Sequence, residues 1–347
     1  MREFISKYLG WRNWAVLYYN SIFENIFVFF YIAFSKENFT SHFFISIIFF
    51  LLLSVLSTTY GYLINDYADR ELDKAHGKAN TFENDSNVKA LGITVGFLVL
   101  ALFSAFPFWS NPWFWIVWLG WLLITSLYSL PPIRLKERGQ IGLAFVILAQ
   151  RVLPVLLVFV SFRFYDLPDV LLIIVYILLR GATSDMNHQL EDYENDLTTN
   201  TRTSAVEIGK ERYQKLFINT LKLERLALFL LLLTMALQFK NILFREWPVF
   251  WLPLLFFIVL WLASVWQTKG DKTGQWELAK INPYHPDKNI YQIIHLVFPN
   301  LFLSGFLLFF LLLRNPLYAF FGLFFIVIYR LYDINTLKNS FLKKWIT

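Results

Sequence analysis

Long apolar stretches recur along the whole chain, and they restrict its possible folds more than any other feature of the sequence. Phe43–Ile64 is one such stretch, and Val170–Leu179 and Leu226–Leu237 form the cores of two others. A helix of about 20 apolar residues crosses the hydrocarbon core of a bilayer. Backbone groups in lipid must be hydrogen-bonded within the protein, so only helices and closed barrels can span it. The sequence therefore predicts an all-α membrane protein.

The composition supports this prediction, because only 16% of the residues are charged and 57% are apolar. A soluble domain carries about 25% charged residues. Ten stretches are predicted to span the membrane, but the last is short and follows its neighbour after only Arg314 and Asn315, so nine spans and one dipping segment is the alternative. The ten are Trp14–Phe34, Phe43–Ile64, Ala90–Phe108, Pro112–Ser129, Ile141–Ser161, Leu167–Met186, Leu216–Leu237, Pro248–Trp266, Ile293–Leu313 and Pro316–Leu331.

The loops between these spans divide into a basic and a nearly uncharged set. With the N-terminus on the cytoplasmic side, that side carries 21 Lys and Arg residues in its loops and termini, and the other side carries 5. Positively charged loops remain in the cytoplasm. Loops 65–89, 130–140, 187–215 and 267–292 are therefore predicted to be cytoplasmic, in a multi-pass protein of the bacterial inner membrane. This topology accounts for the net charge of +6, so no nucleic-acid partner is expected.

No linker divides the chain, so residues 1–347 are predicted to form one polytopic membrane domain. An acidic motif follows span 2 and another follows span 6, four spans later, which is compatible with two related four-helix bundles. The chain has no cysteine, which excludes disulfides and thiolate chemistry. Its five histidines have no metal-ligand spacing, and the phosphate-binding glycine motifs are absent.

The first acidic motif, Asn65–Asp73, continues the helix of span 2. Asn65, Asp69 and Asp73 are spaced four residues apart and so lie on one helical face. Oxygen-bearing side chains stacked in this way repel one another unless a cation lies between them. Mg²⁺ suits such a face, because it binds a few carboxylates and completes its coordination with water and phosphate. A solvated helix end is the alternative interpretation.

The second motif repeats this pattern after span 6, where Asp185, Gln189, Asp192 and Asp196 lie on one helical face. Two acidic faces at the cytoplasmic ends of two spans could clamp a diphosphate through bridging metal ions.

A basic turn, Tyr128–Lys136, closes span 4 on the same side. Pro131 and Pro132 end the helix. Arg134 and Lys136 then follow, and such cations can neutralise a departing diphosphate. Ordinary anchoring by basic residues at the cytoplasmic surface is the alternative.

The Asn65–Asp73, Tyr128–Lys136 and Asp192–Asp196 motifs together resemble the three signature motifs of the UbiA-type intramembrane prenyltransferases, in the same order after spans 2, 4 and 6. His76 and Lys78 resemble the stretch after the family's first motif, and Thr203 and Gly209 resemble the stretch after its second. The resemblance covers roughly residues 14–209. Where many members read Arg-Pro after the first motif, this chain has Asn80-Thr81-Phe82. Loop 267–292 has no counterpart in the family.

The resemblance implies helices around a central cavity that opens to lipid, with the prenyl tail among them. It implies a Mg²⁺-dependent enzyme that ionises a prenyl diphosphate and transfers the prenyl group to an aromatic, lipophilic or hydroxylated acceptor. The predicted substrate-binding residues are Asn65, Lys78, Tyr128, Arg134, Lys136, Arg180 and Gln189. The predicted metal ligands are Asn65, Asp69, Asp73, Asp192 and Asp196, and the four aspartates are also the predicted catalytic carboxylates.

Ionisable residues inside predicted spans are further candidates, because each is costly in lipid. Arg151, in span 5, is predicted to orient the acceptor or reach the diphosphate, and a structural pair with Glu24 is the alternative. Asp185 is either a third metal-site residue or a partner of Arg180. Two other functions stay open. A terpene cyclase would use the same diphosphate residues without an acceptor, and a transporter would use the acidic motifs as cation sites.

Overall fold

The computed structural model describes residues 2–18, 20–75, 77–199, 201–268, 281–285 and 289–329. His76 and the lysines of loop 267–292 lie outside the described residues. The helices in the first half are α1 Arg2–Phe4, α2 Trp11–Tyr18, α3 Ser21–Glu24, α4 Phe27–Ser35, α5 Ser41–Ala75, α6 Asn87–Ser104, α7 Pro112–Ser129, α8 Gly139–Ile147 and α9 Leu153–Ser161. They continue with α10 Leu167–Glu191, α11 Tyr193–Thr198, α12 Ser204–Ile208, α13 Lys210–Gln238, α14 Trp251–Thr268, α15 Ile290–Gln292, α16 Ser304–Leu312 and α17 Ala319–Ile328.

Several short elements complete the description. Single 3₁₀ turns cover Phe106–Phe108, Leu135–Glu137 and Pro316–Tyr318, and strands β1 Leu243–Phe244 and β2 Trp247–Pro248 form an antiparallel hairpin. Wider π-helical turns occur at Ile5–Leu9, Leu148–Val152 and Ile293–Leu303. The second of these joins α8 to α9, and the third leads from α15 into α16.

Seven helical segments in the described residues are long and apolar enough to cross a membrane. Two of the other predicted spans are apolar but shorter, at Trp251–Gln267 and Pro316–Ile328. The helix α13 has 29 residues, but Lys222, Glu224 and Arg225 interrupt its apolar run. The all-α membrane architecture is thus confirmed, whereas the count of nine to ten spans is not. The seven segments are Trp14–Ser35, Ser41–Ala75, Asn87–Ser104, Pro112–Ser129, Gly139–Ser161, Leu167–Glu191 and Ile290–Leu312.

The helices form two compact units, of which the first contains residues 1–24 and 45–217. In this unit Tyr60 of α5 shares a 2.8 Å hydrogen bond with Ser126 of α7. Asn111, which precedes α7, donates to the carbonyl of Val160 in α9 at 2.5 Å. Both acidic motifs and the basic turn lie in this unit, and the arrangement of two related bundles is not confirmed.

The second unit contains residues 25–44 and 218–347. Its helix α4 is buried from Phe27 to Phe34, so it forms the centre of this unit. The Phe34 and Phe250 rings meet edge to face with centroids 5.3 Å apart, and Tyr31 donates to Gln238 at 2.7 Å. These contacts pack α4 against the end of α13 and the chain before α14.

A buried polar chain also lies in the second unit. Glu224 of α13 pairs with Nδ1 of His295 at 2.6 Å, and the side chains of both are 4% exposed. The other ring nitrogen of His295 hydrogen-bonds the Tyr284 hydroxyl. Sequence analysis did not identify these three hydrogen-bonded side chains. The available signal was Glu224, an acidic residue inside a predicted span.

Candidate active site

The first acidic motif lies at the end of α5, which extends for 35 residues and so continues past its apolar portion. Asn65, Asp69 and Asp73 occupy one face of this helix, as the spacing predicts. Asp69 is buried, and Asn65 and Asp73 are half-buried. The helix therefore presents three oxygen-bearing side chains in a row, with the central one most shielded from water.

The loop after α5 folds back onto this motif. The amide nitrogen of Asn80 donates to the backbone oxygen of Asp66 and to the carboxylate of Asp73, both at 2.8 Å. The Thr81 hydroxyl donates to the Asp66 carboxylate at 2.6 Å. Asn80 and Thr81 are residues at which the chain departs from the family pattern, and here they close the loop. Sequence analysis did not assign these roles.

The basic turn brings two cations to the first motif. Arg134 adopts a left-handed backbone conformation with φ of 39°, and its guanidinium donates to Asp69 at 3.1 Å and to Glu137 at 2.7 Å. The Lys136 ammonium donates to Asn65 at 2.9 Å and also pairs with Asp69. The Ser129 hydroxyl donates to the same Asn65 oxygen at 3.1 Å. The structure thus places both predicted cations against the acidic face of α5.

The electrostatics of these cations follow from their partners. Burial lowers the pKa of the Lys136 ammonium, and its hydrogen bond to Asp69 opposes this effect. The hydrogen bond to Glu137 raises the pKa of Arg134, and Asp69 raises it further. Asp69 is therefore held between two positively charged groups.

The second motif differs from the predicted continuous helix. The helix α10 ends at Glu191, Asp192 caps it, and α11 begins at Tyr193. A hydrogen bond of 2.8 Å from the amide of Asp196 to the oxygen of Asp192 crosses the break. Asp192 is exposed and Asp196 is half-buried. The two carboxylates remain close in the chain, but they follow a bend of the backbone.

Hydrogen bonds join the start of α8, just after the basic turn, to the chain that follows the second motif. The amide of Gly139 donates to the oxygen of Arg202 at 3.0 Å, and the amide of Gln140 donates to the Glu207 carboxylate at 3.2 Å. Glu207 also pairs with Arg202 at 2.5 Å. The cations of the basic turn therefore contact the first motif, and the backbone at the start of α8 contacts the chain after the second motif.

Lys78 provides an electrostatic connection between the two motifs. Burial raises the pKa of Asp196, and the like charge of Asp192 adds to this effect. The charge of the Lys78 ammonium opposes it. Lys78 follows the first motif and yet acts on Asp196, so it lies within electrostatic range of the second motif.

A cavity of about 420 Å³ opens at the first motif. Asn65, Asp69 and Lys136 line one end of it, together with Tyr128 and Ser129 from the end of α7. A pocket of a few hundred Å³ with a small number of convergent polar groups is typical of a small-molecule site. The cavity thus connects a charged mouth to the interior of a helical bundle.

Arg151 and Arg180 have structural partners. The Arg151 guanidinium pairs with the Glu24 carboxylate at 2.5 Å, and Arg180 donates to the backbone oxygen of Glu24 at 3.4 Å. Gly181 permits this arrangement, because a Cβ atom there would lie 2.5 Å from Cγ of Arg151. The contacts of Arg151 are those of the structural alternative, and its catalytic role stays a prediction.

Gln189 and Asp185 have contrasting environments. The side-chain oxygen of Gln189 accepts from the Tyr213 hydroxyl at 2.9 Å and from the amide of Ala205 at 3.3 Å. Its predicted role in substrate binding stays a prediction. The Asp185 oxygen Oδ2 is buried and has no hydrogen-bond partner among the described residues. The charges that act on Asp185 are those of Arg151, His188 and Glu24, so Arg151 rather than Arg180 is its charged neighbour.

The donor chemistry of the site suits a hard divalent cation. No group of three His, Asp or Glu side chains in the described ranges is arranged to hold a metal ion. The oxygens of Asn65 and Asp69 nevertheless converge on one cation, the Lys136 ammonium. Carboxylate and amide oxygens are ligands that Mg²⁺ accepts, so these residues fit such an ion.

Comparisons with known proteins agree with this geometry. The family model of the UbiA prenyltransferase family matches residues 25–282, which is more than half of the chain. A comparison with curated proteins gives no match.

Similar solved structures include a UbiA homologue from Archaeoglobus fulgidus bound to DMAPP and Mg²⁺. It is 17% identical, has a TM-score of 0.52, and the match covers 84% of this chain and 98% of that one. The same homologue bound to GPP and Mg²⁺ is 18% identical, with a TM-score of 0.50 and the same coverages. A digeranylgeranylglyceryl phosphate synthase is 17% identical, with a TM-score of 0.52 and coverage of 86% and 98%.

These solved structures show that the chain shares their fold, and the match of the family model shows the family. The long apolar helices and the family together establish an integral membrane protein. The chain belongs to the UbiA prenyltransferase family.

Proposed function

We propose that the protein is a Mg²⁺-dependent intramembrane prenyltransferase that ionises a prenyl diphosphate and transfers the prenyl group to an acceptor within the bundle. One observation supports this most strongly: a cavity between membrane-spanning helices opens at Asn65, Asp69 and Lys136. A prenyl diphosphate has the same two-part character, with a charged head and an apolar tail. The proposal also draws on the similar homologue, whose structures contain DMAPP or GPP with Mg²⁺.

Five side chains would hold the metal ions and the head group. They are Asn65, Asp69, Asp73, Asp192 and Asp196. When bound, Mg²⁺ supplies positive charge to the diphosphate oxygens and orients them. The active-site loops are cytoplasmic in this proposal, with the N-terminus on the same side, in a bacterial inner membrane.

Lys136 and Arg134 neutralise the leaving group. Both cations lie against Asp69, so they are in position to donate hydrogen bonds to a diphosphate that reaches the carboxylates. Charge develops on the diphosphate as its bond to C1 breaks, and donors already in place stabilise that charge without reorganisation. Lys78, which acts electrostatically on Asp196, adds a third cation at the second motif.

The apolar bundle shields the prenyl fragment from water. The C1–O bond breaks and the diphosphate leaves with the bonding electrons. The acceptor then forms a bond to C1 and loses a proton to the released diphosphate or to solvent. Tyr128 lines the cavity beside Asp69, where its ring face can stabilise the allylic cation.

The test is turnover of radiolabelled geranyl diphosphate by membranes that contain the overexpressed full-length protein together with their own lipophilic acceptors, with Mg²⁺ and with EDTA. Consumption that requires Mg²⁺ is expected. Asp69→Asn and Asp192→Asn should each reduce it by a factor of about 100 or more, the size seen when one transition-state contact is removed. Glu83→Gln is the matched control, because Glu83 is an exposed carboxylate in the loop that follows the first motif, and it should leave turnover unchanged.

Unchanged turnover in Asp69→Asn would contradict the proposal. If the purified protein releases a hydrocarbon from the prenyl diphosphate without an acceptor, the protein is a terpene cyclase and not a transferase. Cation flux into proteoliposomes without turnover would indicate a transporter.

A further inference from the structure

The interior of the cavity is polar but carries no charge, and this feature bears on the acceptor. Away from Asp69 and Lys136 at its mouth, its lining includes no charged side chain. The uncharged polar residues along its walls include Asn20, Ser54, Thr58, Thr125 and Gln150. A cavity that held only a prenyl chain would have no need of amides and hydroxyls, because each costs free energy to desolvate.

Three of these residues satisfy one another. The Asn20 amide nitrogen donates to the Thr58 hydroxyl at 3.2 Å, and the Ser54 hydroxyl donates to the Asn20 oxygen at 2.9 Å. The backbone amide of Ile22 donates to the same Asn20 oxygen at 3.0 Å. This wall is therefore fixed, and it leaves little hydrogen-bonding capacity for a ligand.

The other two residues keep that capacity. The Thr125 hydroxyl is buried, and no group in the described part of the chain hydrogen-bonds it. Gln150 is exposed to the cavity. A carboxamide offers two donors and one acceptor, and a hydroxyl offers one donor and accepts as well. Buried polar groups are normally paired, so the Thr125 hydroxyl indicates a bound molecule with a complementary group, and Gln150 lines the same cavity.

The backbone places Gln150 at this position. Leu148–Val152 forms a π-helical turn between α8 and α9, and such turns occur frequently at functional sites. The indole nitrogen of Trp121 donates to the carbonyl of Ala149 at 3.0 Å, which supports the widened turn from α7. Gln150 consequently faces the cavity, whereas the next residue, Arg151, pairs with Glu24.

Charge then selects the class of acceptor. An anionic group in the interior would find no cation there, because Lys136 lies at the mouth, where the diphosphate would bind, and Arg151 pairs with Glu24 and does not line the cavity. Burial of an unpaired charge is far more costly than burial of a hydrogen-bonded neutral group. A neutral head group with a hydroxyl or carbonyl would pair with Thr125 and Gln150 instead.

We propose that Thr125 and Gln150 bind the acceptor, and that the acceptor is a neutral molecule bearing hydroxyl or carbonyl groups. This inference rests on the proposed prenyl transfer. In that reaction the nucleophilic atom of the acceptor bonds to C1 of the prenyl group, and the diphosphate leaves with the electrons of the C1–O bond. The acceptor's proton passes to the diphosphate or to solvent.

The test uses the purified full-length protein with geranyl diphosphate, Mg²⁺ and two probe acceptors of nearly equal size. The probes are 4-hydroxybenzyl alcohol, which is neutral, and 4-hydroxybenzoate, which carries a carboxylate. Mg²⁺-dependent binding of a non-reactive geranyl thiolodiphosphate is recorded first, so a failure of the proposed diphosphate site appears separately from a failure of the acceptor site. We expect transfer to the neutral probe at least tenfold faster than to the carboxylate at equal concentration.

The variants isolate the two side chains. Gln150→Leu and Thr125→Val should each raise KM for the neutral probe about five- to tenfold, the size of one lost hydrogen bond, and leave KM for geranyl diphosphate unchanged. Thr125→Ser keeps the hydroxyl and should retain the original KM. Thr94→Val is the matched control, because the Thr94 hydroxyl is buried on α6 and donates to the carbonyl of Ala90.

Transfer to the carboxylate at an equal or higher rate would overturn the inference. So would transfer to neither probe while geranyl thiolodiphosphate is still bound, or a KM for the neutral probe that the two variants leave unchanged.

Discussion

Arg151 pairs with Glu24, and disrupting this ion pair tests whether the role of Arg151 is structural or catalytic. The two side chains are 12% and 22% exposed, and the charged atoms are 2.5 Å apart. Arg151→Met removes the cation and keeps most of the side-chain volume, so Glu24 is left mostly buried and unpaired. Breaking one partner of a buried pair costs about 3–5 kcal/mol of stability.

We expect a loss of stability at the lower end of that range, because the Glu24 side chain is partly accessible to solvent. A loss of about 3 kcal/mol should lower the melting temperature by about 4 °C, since an unfolding entropy of about 2.1 cal/mol/K per residue gives a shift of about 1.4 °C per kcal/mol in a chain of 347 residues. The combined Arg151→Met and Glu24→Gln variant removes both charges. Because neighbouring residues are coupled, it should recover about 1–3 kcal/mol of the loss.

Thermal unfolding in detergent, followed by tryptophan fluorescence, measures these shifts. Arg212→Met is the control, because Arg212 is exposed on α13, and it should leave Tm unchanged. Turnover of geranyl diphosphate at a temperature below all the transitions should stay within about threefold of wild type in the double variant. A fall of more than a hundredfold in turnover with an unchanged Tm would refute the structural interpretation and assign Arg151 to the substrate.

Three further predictions follow from the contacts and charges in the structure. Gly181→Val should lower Tm, since a Cβ atom there would lie 2.5 Å from Cγ of Arg151; an unchanged Tm would show that this approach is not tight. Glu224→Ala should destabilise the protein by about 3 kcal/mol or more in thermal unfolding, because it removes the partner of buried His295, and a loss below 1 kcal/mol would contradict this. Hydrogen bonds from Lys7, Lys89 and Tyr8 outweigh burial and hold the pKa of Asp85 well below its usual range. The stability that wild type has over Asp85→Asn should therefore be constant from pH 6 to 8 and decline only below about pH 4; a decline near neutral pH would disprove it.

The sequence was sufficient to predict the acidic face of α5 and the architecture of apolar helices. Both follow from helical periodicity, which depends only on spacing along the chain. The positions of Asn65, Asp69 and Asp73 on one face are therefore as expected. The basic turn was predicted as a group of cations, and the structure adds that Lys136 reaches both Asn65 and Asp69.

Features that depend on packing between helices could not be predicted in the same way. Arg151 and Glu24 are 127 residues apart, and their pairing depends on how α9 and α10 approach the N-terminal segment. The break of α10 at Asp192 and the π-helical turn at Leu148–Val152 have no distinctive spacing. The partnership of Glu224 with His295 likewise depends on contacts between distant segments of the second unit.

The proposed role of the acidic motifs is tested most directly by equilibrium binding of a non-reactive geranyl thiolodiphosphate to the purified protein, measured by calorimetry with and without Mg²⁺. Tight binding that requires Mg²⁺ is expected, and Asp69→Asn and Asp192→Asn should each weaken it at least tenfold, while Glu83→Gln leaves it unchanged. Equal binding with Mg²⁺ and with EDTA, or binding that neither Asp variant alters, would contradict a diphosphate site built from the two motifs.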